Sequence, residues 1–212
     1  MKLRVSNQKT AALTPIEVVV VFVVIAVLAL IILPAFYGGP HHPPRINCTN
    51  NLKQIGLAYR IWADDHEGKY PLTISVANGG TTEPVVVFQI MSNILSTPKI
   101  LVCPSDADRV TAKDFQAGFS AKNISYFVGL DADTNHPQAL LSGDDNFEIS
   151  SVPVKSGLLQ FSTDTPIAWT TARHNRAGNI GLADGSVQML SNSGLTNWLH
   201  QTGLATNRLA IP

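Results

Sequence analysis

Residues Val18 to Leu33 are apolar without interruption, with one acid, Glu17, at the leading edge and a basic stretch ahead of it. As a helix, Ile16 to Tyr37 would extend about 33 Å at about 1.5 Å per residue, close to the hydrocarbon thickness of a bilayer. The segment is therefore expected to span. Met1 to Thr10 carries Lys2, Arg4 and Lys9 and no acid, so the positive-inside bias leaves the N-terminus in the cytoplasm and the remainder outside. The expected localisation is a single-pass protein of the inner membrane, with its head in the periplasm or at the cell surface.

An ordinary cleaved signal peptide has an apolar core of roughly 7 to 15 residues and a small-x-small cleavage site. This core is longer, and Pro34-Ala35-Phe36-Tyr37 supplies no such site. A plain anchor leaves Glu17 unexplained, because a carboxylate at a membrane boundary is costly unless partnered. The stretch Ala12-Leu13-Thr14-Pro15-Ile16-Glu17 followed by the apolar run resembles the leader of type IV pilins and of type II secretion pseudopilins. That resemblance implies cleavage by a prepilin peptidase between Ala12 and Leu13, methylation on Leu13, and a Glu17 that meets the N-terminal amine of a neighbouring subunit. Gly commonly precedes the cut in that family and Phe or Met follows it. Pro15 falls in the first helical turn, where a missing N–H is harmless, and Pro34 matches a proline that kinks the same helix in many pilins.

The chain holds 15 Lys+Arg and 15 Asp+Glu, of which the first 37 residues carry Lys2, Arg4, Lys9 and Glu17, leaving 12 against 14 outside. This near-neutral remainder has no basic patch, and nucleic acid is not expected as a partner. Gly38-Gly39-Pro40-His41-His42-Pro43-Pro44 stops the first helix. From Ile46 to about His66 the apolar residues Cys48, Leu52, Ile55, Tyr59 and Trp62 recur at helical spacing, and Gly68 and Pro71 end the pattern. The expected organisation is a leader over 1–12, an assembly and membrane helix over 13–37, a linker over 38–45 and one head domain over 46–212.

The segment Cys48-Thr49-Asn50-Asn51-Leu52-Lys53-Gln54-Ile55-Gly56-Leu57-Ala58 is similar to one shared by a group of pilin-like proteins of planctomycetes and verrucomicrobia. Their second signature, H-x9-DG, is matched by His174 and, nine residues on, Asp184-Gly185. Asp184-Gly185 is also a two-residue hairpin signal between Asn179–Ala183 and Ser186–Leu190. With Ala183 opposite Ser186, Leu182 would face Val187 and Ile180 would face Met189, placing all four apolar side chains on one face.

His174 stands in the polar stretch Arg173-His174-Asn175-Arg176. A hydrogen bond from it to backbone or to an acid would hold this loop against the hairpin. A general base would need a nucleophile and an orienting acid, and the sequence has no G-x-S-x-G or reactive-cysteine context. No catalytic residue is assigned, and an enzyme is not expected. The two cysteines permit one intramolecular pairing, Cys48–Cys103, in an oxidising compartment; spacing alone leaves open whether they meet. Asp131, Asp133 and Asn135 at alternate positions, followed by Asp144 and Asp145, offer oxygen ligands for calcium, the one cofactor the sequence suggests. Some pseudopilins hold calcium in a C-terminal loop. His136-Pro137 and Ser142 stand where an EF-hand would have its glycine turn and bidentate glutamate.

The expected fold class is α+β: a transmembrane helix, a Gly/Pro break, and an amphipathic helix packed on an antiparallel sheet as a pilin-like head. Strands are expected near Val85–Gln89, Ser125–Leu130, Gly157–Phe161 and Pro166–Thr170. The resemblance implies a pilin or pseudopilin subunit whose partners are the prepilin peptidase, other pilin-like subunits and the membrane. The alternative is a membrane-tethered, non-filamentous module that binds an envelope or exported polymer.

Overall fold

The computed structural model describes residues 14–37, 44–71 and 82–212. The chain divides into two compact units, Met1–His41 and His42–Pro212. The cleavage site expected between Ala12 and Leu13, and linker residues 38–43, lie outside the described residues.

In the first unit, helix α1 runs from Pro15 to Tyr37. Its start is fixed by a capping box. The Thr14 N–H and hydroxyl donate to Glu17 Oε2 at 2.7 and 2.9 Å, and the Glu17 N–H returns a weaker bond to Thr14 Oγ1 at 3.4 Å. These bonds lower the Glu17 pKa, so the acid has a local partner that the sequence argument did not supply. The single-pass inner-membrane placement is corrected. Among the described residues no helix is long and apolar enough to cross a membrane.

The second unit opens with α2, Pro44–Asp64. It begins two residues before the expected Ile46, with a proline in the first turn where its absent N–H costs nothing. Cys48, Leu52, Ile55 and Tyr59 are buried on one face. Next come two short helices, α3 (Pro84–Ile90) and α4 (Ser92–Leu95), and a 3-10 turn over Pro98–Leu101. The strand expected at Val85–Gln89 is therefore helical. Its β-branched run favours a strand, but Pro84 sits in the first turn and Pro84, Val87 and Phe88 bury at i, i+3 and i+4, and tertiary packing outweighs local propensity.

The strands are β1 (Tyr126–Gly129), β2 (Leu140–Asp144), β3 (Phe147–Ile149), β4 (Val152–Pro153), β5 (Gly157–Ser162), β6 (Ile167–Trp169), β7 (Ala177–Leu182), β8 (Val187–Ser191) and β9 (Thr206–Ile211). Helix α5, Asn192–Gln201, lies between the last two. Among the described residues these form an antiparallel six-stranded sheet, ordered β5-β9-β1-β2-β7-β8, and a three-stranded sheet, β4-β3-β6. The fold class is thus α+β with an antiparallel sheet and helices.

Side chains alternate between two cores. Tyr126, Val128 and Leu141 join Cys48, Leu52, Ile55 and Met91 on the α2 side. Phe127, Leu140, Ile180 and Leu182 join Phe147, Trp169, Leu195 and Leu199 on the other. The central strands β1, β2 and β7 are consequently buried throughout.

The β7–β8 hairpin differs from expectation by one residue. Gly181 pairs with Val187, Ile180 with Gln188 and Asn179 with Met189. The loop takes three residues: the Gly185 N–H donates to Leu182 O and the Leu182 N–H to Ser186 O, both at 2.9 Å. Gly185 holds φ +84°, the left-handed position such loops require. A one-residue slip exchanges faces. Because β7 is covered on both sides, apolar alternation did not fix its register.

Candidate functional site

Residues 48–58 and residues 174–185 form one contact. Helix α2 crosses β7, and a Cβ on Gly56 would lie 3.3 Å from Gly185 Cα, so the helix approaches the turn through two glycines. Arg60 Nη1 donates to Asp184 O at 3.0 Å, and Asp184 Oδ1 accepts from the Ser186 N–H at 2.8 Å. Asp184 and Gly185 are turn residues that receive the helix. At the other end of α2, Arg45 donates from Nε to Asn179 Oδ1 at 3.3 Å. Its Nη2 donates to Gly178 O at 3.1 Å and Leu190 O at 3.2 Å.

Cys48 and Cys103 are joined by a disulfide with Cα atoms 5.2 Å apart. Asn51 holds the bridged segment in place, donating from Nδ2 to Val102 O at 3.2 Å and Tyr126 Oη at 3.3 Å. Against this disulfide lies His174, with Nε2 at 3.4 Å from Cys103 Sγ and 3.6 Å from Asp144 Oδ2. Only 3% of the His174 side chain and none of Asp144 is exposed. The backbone that delivers the imidazole is unusual: His174, Asn175 and Arg176 hold φ of 49°, 51° and 59°. Consecutive left-handed non-glycine residues carry strain and persist only where surrounding contacts impose them.

Asp144 Oδ2 accepts from the Asn179 N–H at 2.7 Å and Asn179 Nδ2 at 2.9 Å, while Oδ1 is buried without a hydrogen-bond partner. Burial pushes the Asp144 carboxyl up to about 7, although the Asn179 bonds and the Arg173 charge oppose the rise. Burial, with the charges of Arg45 and Arg173, pushes His174 down to about 4. At neutral pH the imidazole is neutral.

Next to this pair is a buried ionic network. Arg173 reaches Asp106 at 3.0 Å, makes a very short contact with Asp145, and donates to Ser125 O at 2.9 Å. Arg109 donates to Asp145 Oδ2 at 3.1 Å and Ala121 O at 2.7 Å, and Ser125 Oγ donates to Asp106 Oδ2 at 2.7 Å. Two guanidinium groups and two carboxylates so neutralise one another where an unpaired charge would be costly. Arg173, Asp106, Arg109 and Asn179 were missed in the sequence; the signal available was that Arg173 adjoins His174.

The proposed calcium ligands do not converge. Asp131 binds the Arg208 backbone N–H at 2.7 Å and its Nε at 2.8 Å. Asp133 Oδ1 accepts from the Asn135 and His136 N–H groups, both at 2.8 Å. Asp144 and Asp145 belong to the buried clusters around His174 and Arg173. Among the described residues, the group of three potential ligands that does meet is Cys48, Cys103 and His174, whose ligand atoms lie within 4.8 Å of one another.

No protein-family model matches this chain, and neither a curated protein nor a solved structure is similar enough to count as a match.

Proposed function

We propose that the protein is a pilin-like subunit of a secretion or pilus-type assembly, in which α1 packs against the same helix of neighbouring copies and the head forms the outer surface. The observation that supports this most is the apolar sheath of α1. Phe22 is 68% exposed and Leu30 74%, and the valines between Val18 and Val27 stand open on every side. A helix that is apolar all round needs a cover, and each fully covered Val, Leu, Ile or Phe contributes roughly 1.5 to 3 kcal/mol. The leader resemblance adds processing by a prepilin peptidase between Ala12 and Leu13, with methylation of Leu13. The disulfide suits an oxidising compartment, and α2 laid on an antiparallel sheet is the layout expected of a pilin-like head. The reading is structural, with no catalytic role.

In this proposal Glu17 has two competing partners. Within one chain it closes the capping box with Thr14; in an assembly a neighbouring amine would have to displace those bonds. The test is co-expression with a prepilin peptidase, N-terminal mass analysis, and crosslinking from positions 20 and 24 of α1. A chain beginning at methylated Leu13 that crosslinks into multimers is expected. An uncut monomer would refute the proposal. It would favour the head as a separate binding module for an envelope or exported polymer, acting through the open cavity of about 430 Å³ lined by Arg60, Asp64, Tyr70, Thr134 and Asp184. Multimers that persist in Glu17→Ala would leave the assembly standing and remove Glu17 from its interface.

A further inference from the structure

We infer that Cys48, Cys103, His174 and Asp144 form a buried site for a zinc-type divalent cation once the disulfide is reduced. The inference is independent of assembly through α1. Zinc takes thiolate, imidazole and carboxylate ligands in a tetrahedron, with Zn–S near 2.3 Å and Zn–N and Zn–O near 2.0 to 2.1 Å. Such a tetrahedron has S···N edges of about 3.6 Å, N···O edges of about 3.4 Å and an S···S edge of about 3.8 Å. Two edges already stand close to these lengths: His174 Nε2 to Cys103 Sγ at 3.4 Å and to Asp144 Oδ2 at 3.6 Å. Cys48 Sγ, Cys103 Sγ and His174 Nε2 lie within 4.8 Å of one another, so the sulfurs must part and the Asp144 carboxylate must move in toward them to become the fourth ligand.

A second observation points the same way. Asp144 Oδ1 is fully buried and accepts no hydrogen bond, while Oδ2 is already held by Asn179. A disulfide needs no carboxylate beside it, and a buried carboxylate oxygen without a donor is costly. A cation held by the sulfurs and Nε2 would draw the Asp144 carboxylate in as its fourth ligand, with Asn179 orienting it from behind as outer-shell groups do. Two thiolates and one carboxylate would leave a single negative charge around a divalent ion. Arg173, packed against Asp145 and Asp106, and Arg45, on Asn179, are the cations nearest to it. Asn175 and Arg176 are exposed, so the left-handed turn that carries His174 is the lip through which a metal would enter.

The chemistry balances with a dithiol reductant. It gives up two hydrogens and becomes a disulfide, the Cys48–Cys103 bond breaks to two thiols, and metal binding releases the two thiol protons. The test uses the full-length protein, oxidised and reduced, titrated with Co²⁺ and Zn²⁺. One metal per chain is expected in the reduced form and none in the oxidised form, with a thiolate-to-Co²⁺ charge-transfer band and tetrahedral d–d absorption. His174→Ala and Asp144→Ala are each expected to weaken Co²⁺ binding at least tenfold and to change the d–d spectrum. Should reduction loosen the fold, Zn²⁺ should restore the near-UV circular dichroism of the wild type. Wild-type affinity in reduced His174→Ala would overturn the inference, as would metal bound without a thiolate band or a reduced fold that Zn²⁺ does not restore.

Discussion

The raised Asp144 pKa and the lowered His174 pKa make opposite contributions to the pH dependence of stability. In the unfolded chain an Asp titrates near 3.8 and a His near 6.5; in the fold Asp144 is pushed up to about 7 and His174 down to about 4. For Asp144 the raised pKa means the folded state keeps a proton that the unfolded chain releases. Its contribution is full below about pH 4 and is lost as pH rises toward 7. For His174 the depressed pKa means the unfolded chain binds the extra proton, so its contribution is full above about pH 6.5 and is lost as pH falls toward 4. Across the shared window the unfolded pair holds one proton, on the histidine, and the folded pair holds one, on the aspartic acid. The two slopes cancel. Removing either partner uncovers the other. At about 1.4 kcal/mol per pH unit, Asp144→Asn should gain roughly 4 kcal/mol relative to wild type between pH 4 and pH 7. His174→Asn, chosen because Asn tolerates a left-handed φ, should lose roughly 3 kcal/mol relative to wild type over the window that ends near pH 6.5. Urea unfolding of the three oxidised proteins at half-unit steps from pH 4 to 7 reads both slopes, and the ionic network around Arg173 is common to all three. Equal slopes for the two variants, or slopes of the same sign relative to wild type, would refute the assigned protonation states.

Three other outcomes are expected. Reducing Cys48–Cys103 under metal-free conditions releases a crosslink with a sequence separation of 55 and should cost about 4 kcal/mol in the chain-entropy account, read as a drop in urea midpoint at pH 7. Gly178→Ala would drive a Cβ to 2.1 Å from Trp169 Cε2; overpacking this severe should exceed the usual range of about 1 to 3 kcal/mol, and a melting temperature within a degree of wild type would contradict the packing. Gly56→Ala needs a shift of only a few tenths of an ångström against Gly185, offset by the better helix propensity of Ala of about 1 kcal/mol, and should change the melting temperature far less than Gly178→Ala, with Arg60→Ala non-additive to it because both act on the same turn.

The sequence made the helical face of α2 legible because Cys48, Leu52, Ile55 and Tyr59 recur with one period and bury against one sheet. It made β1, β5 and β6 legible through their apolar and β-branched runs. It hid β2, since Leu140-Leu141-Ser142-Gly143-Asp144 reads as a polar loop. There Ser142 Oγ donates to Phe127 O at 2.9 Å, and a Cβ on Gly143 would meet Phe127 Cε1 at 2.7 Å. A strand covered on both faces needs no alternation, and its polar residues are paid for by partners that only the fold assembles. The same blindness placed Asp144 and Asp145 in a solvated calcium loop, when one faces His174 and the other Arg173. The placement of α1 in a membrane is overturned because no helix among the described residues is long and apolar enough to cross one, and Glu17 has its partner in Thr14, three residues before it, as a T-x-x-E cap.

Residues 48–58 and 174–185 meet along one helix-to-strand contact with two distinct ends. Near the start of α2, Cys48 carries the disulfide on which His174 rests, and Arg45 clamps Asn179, which in turn fixes Asp144. Eight residues beyond Cys48, Gly56 meets Gly185, and Arg60 closes on Asp184 one turn later. Nine residues separate His174 from Asp184 because β7 must run from the buried polar pocket to the turn that receives α2. The turn end is fixed by the close approach of Gly56 to Gly185. The pocket end is under no such requirement from packing alone: an apolar residue could fill the place of His174, and a buried carboxylate is costly there. Packing explains Asp184 and Gly185, whereas packing alone does not require a histidine on the disulfide with an aspartic acid beside it.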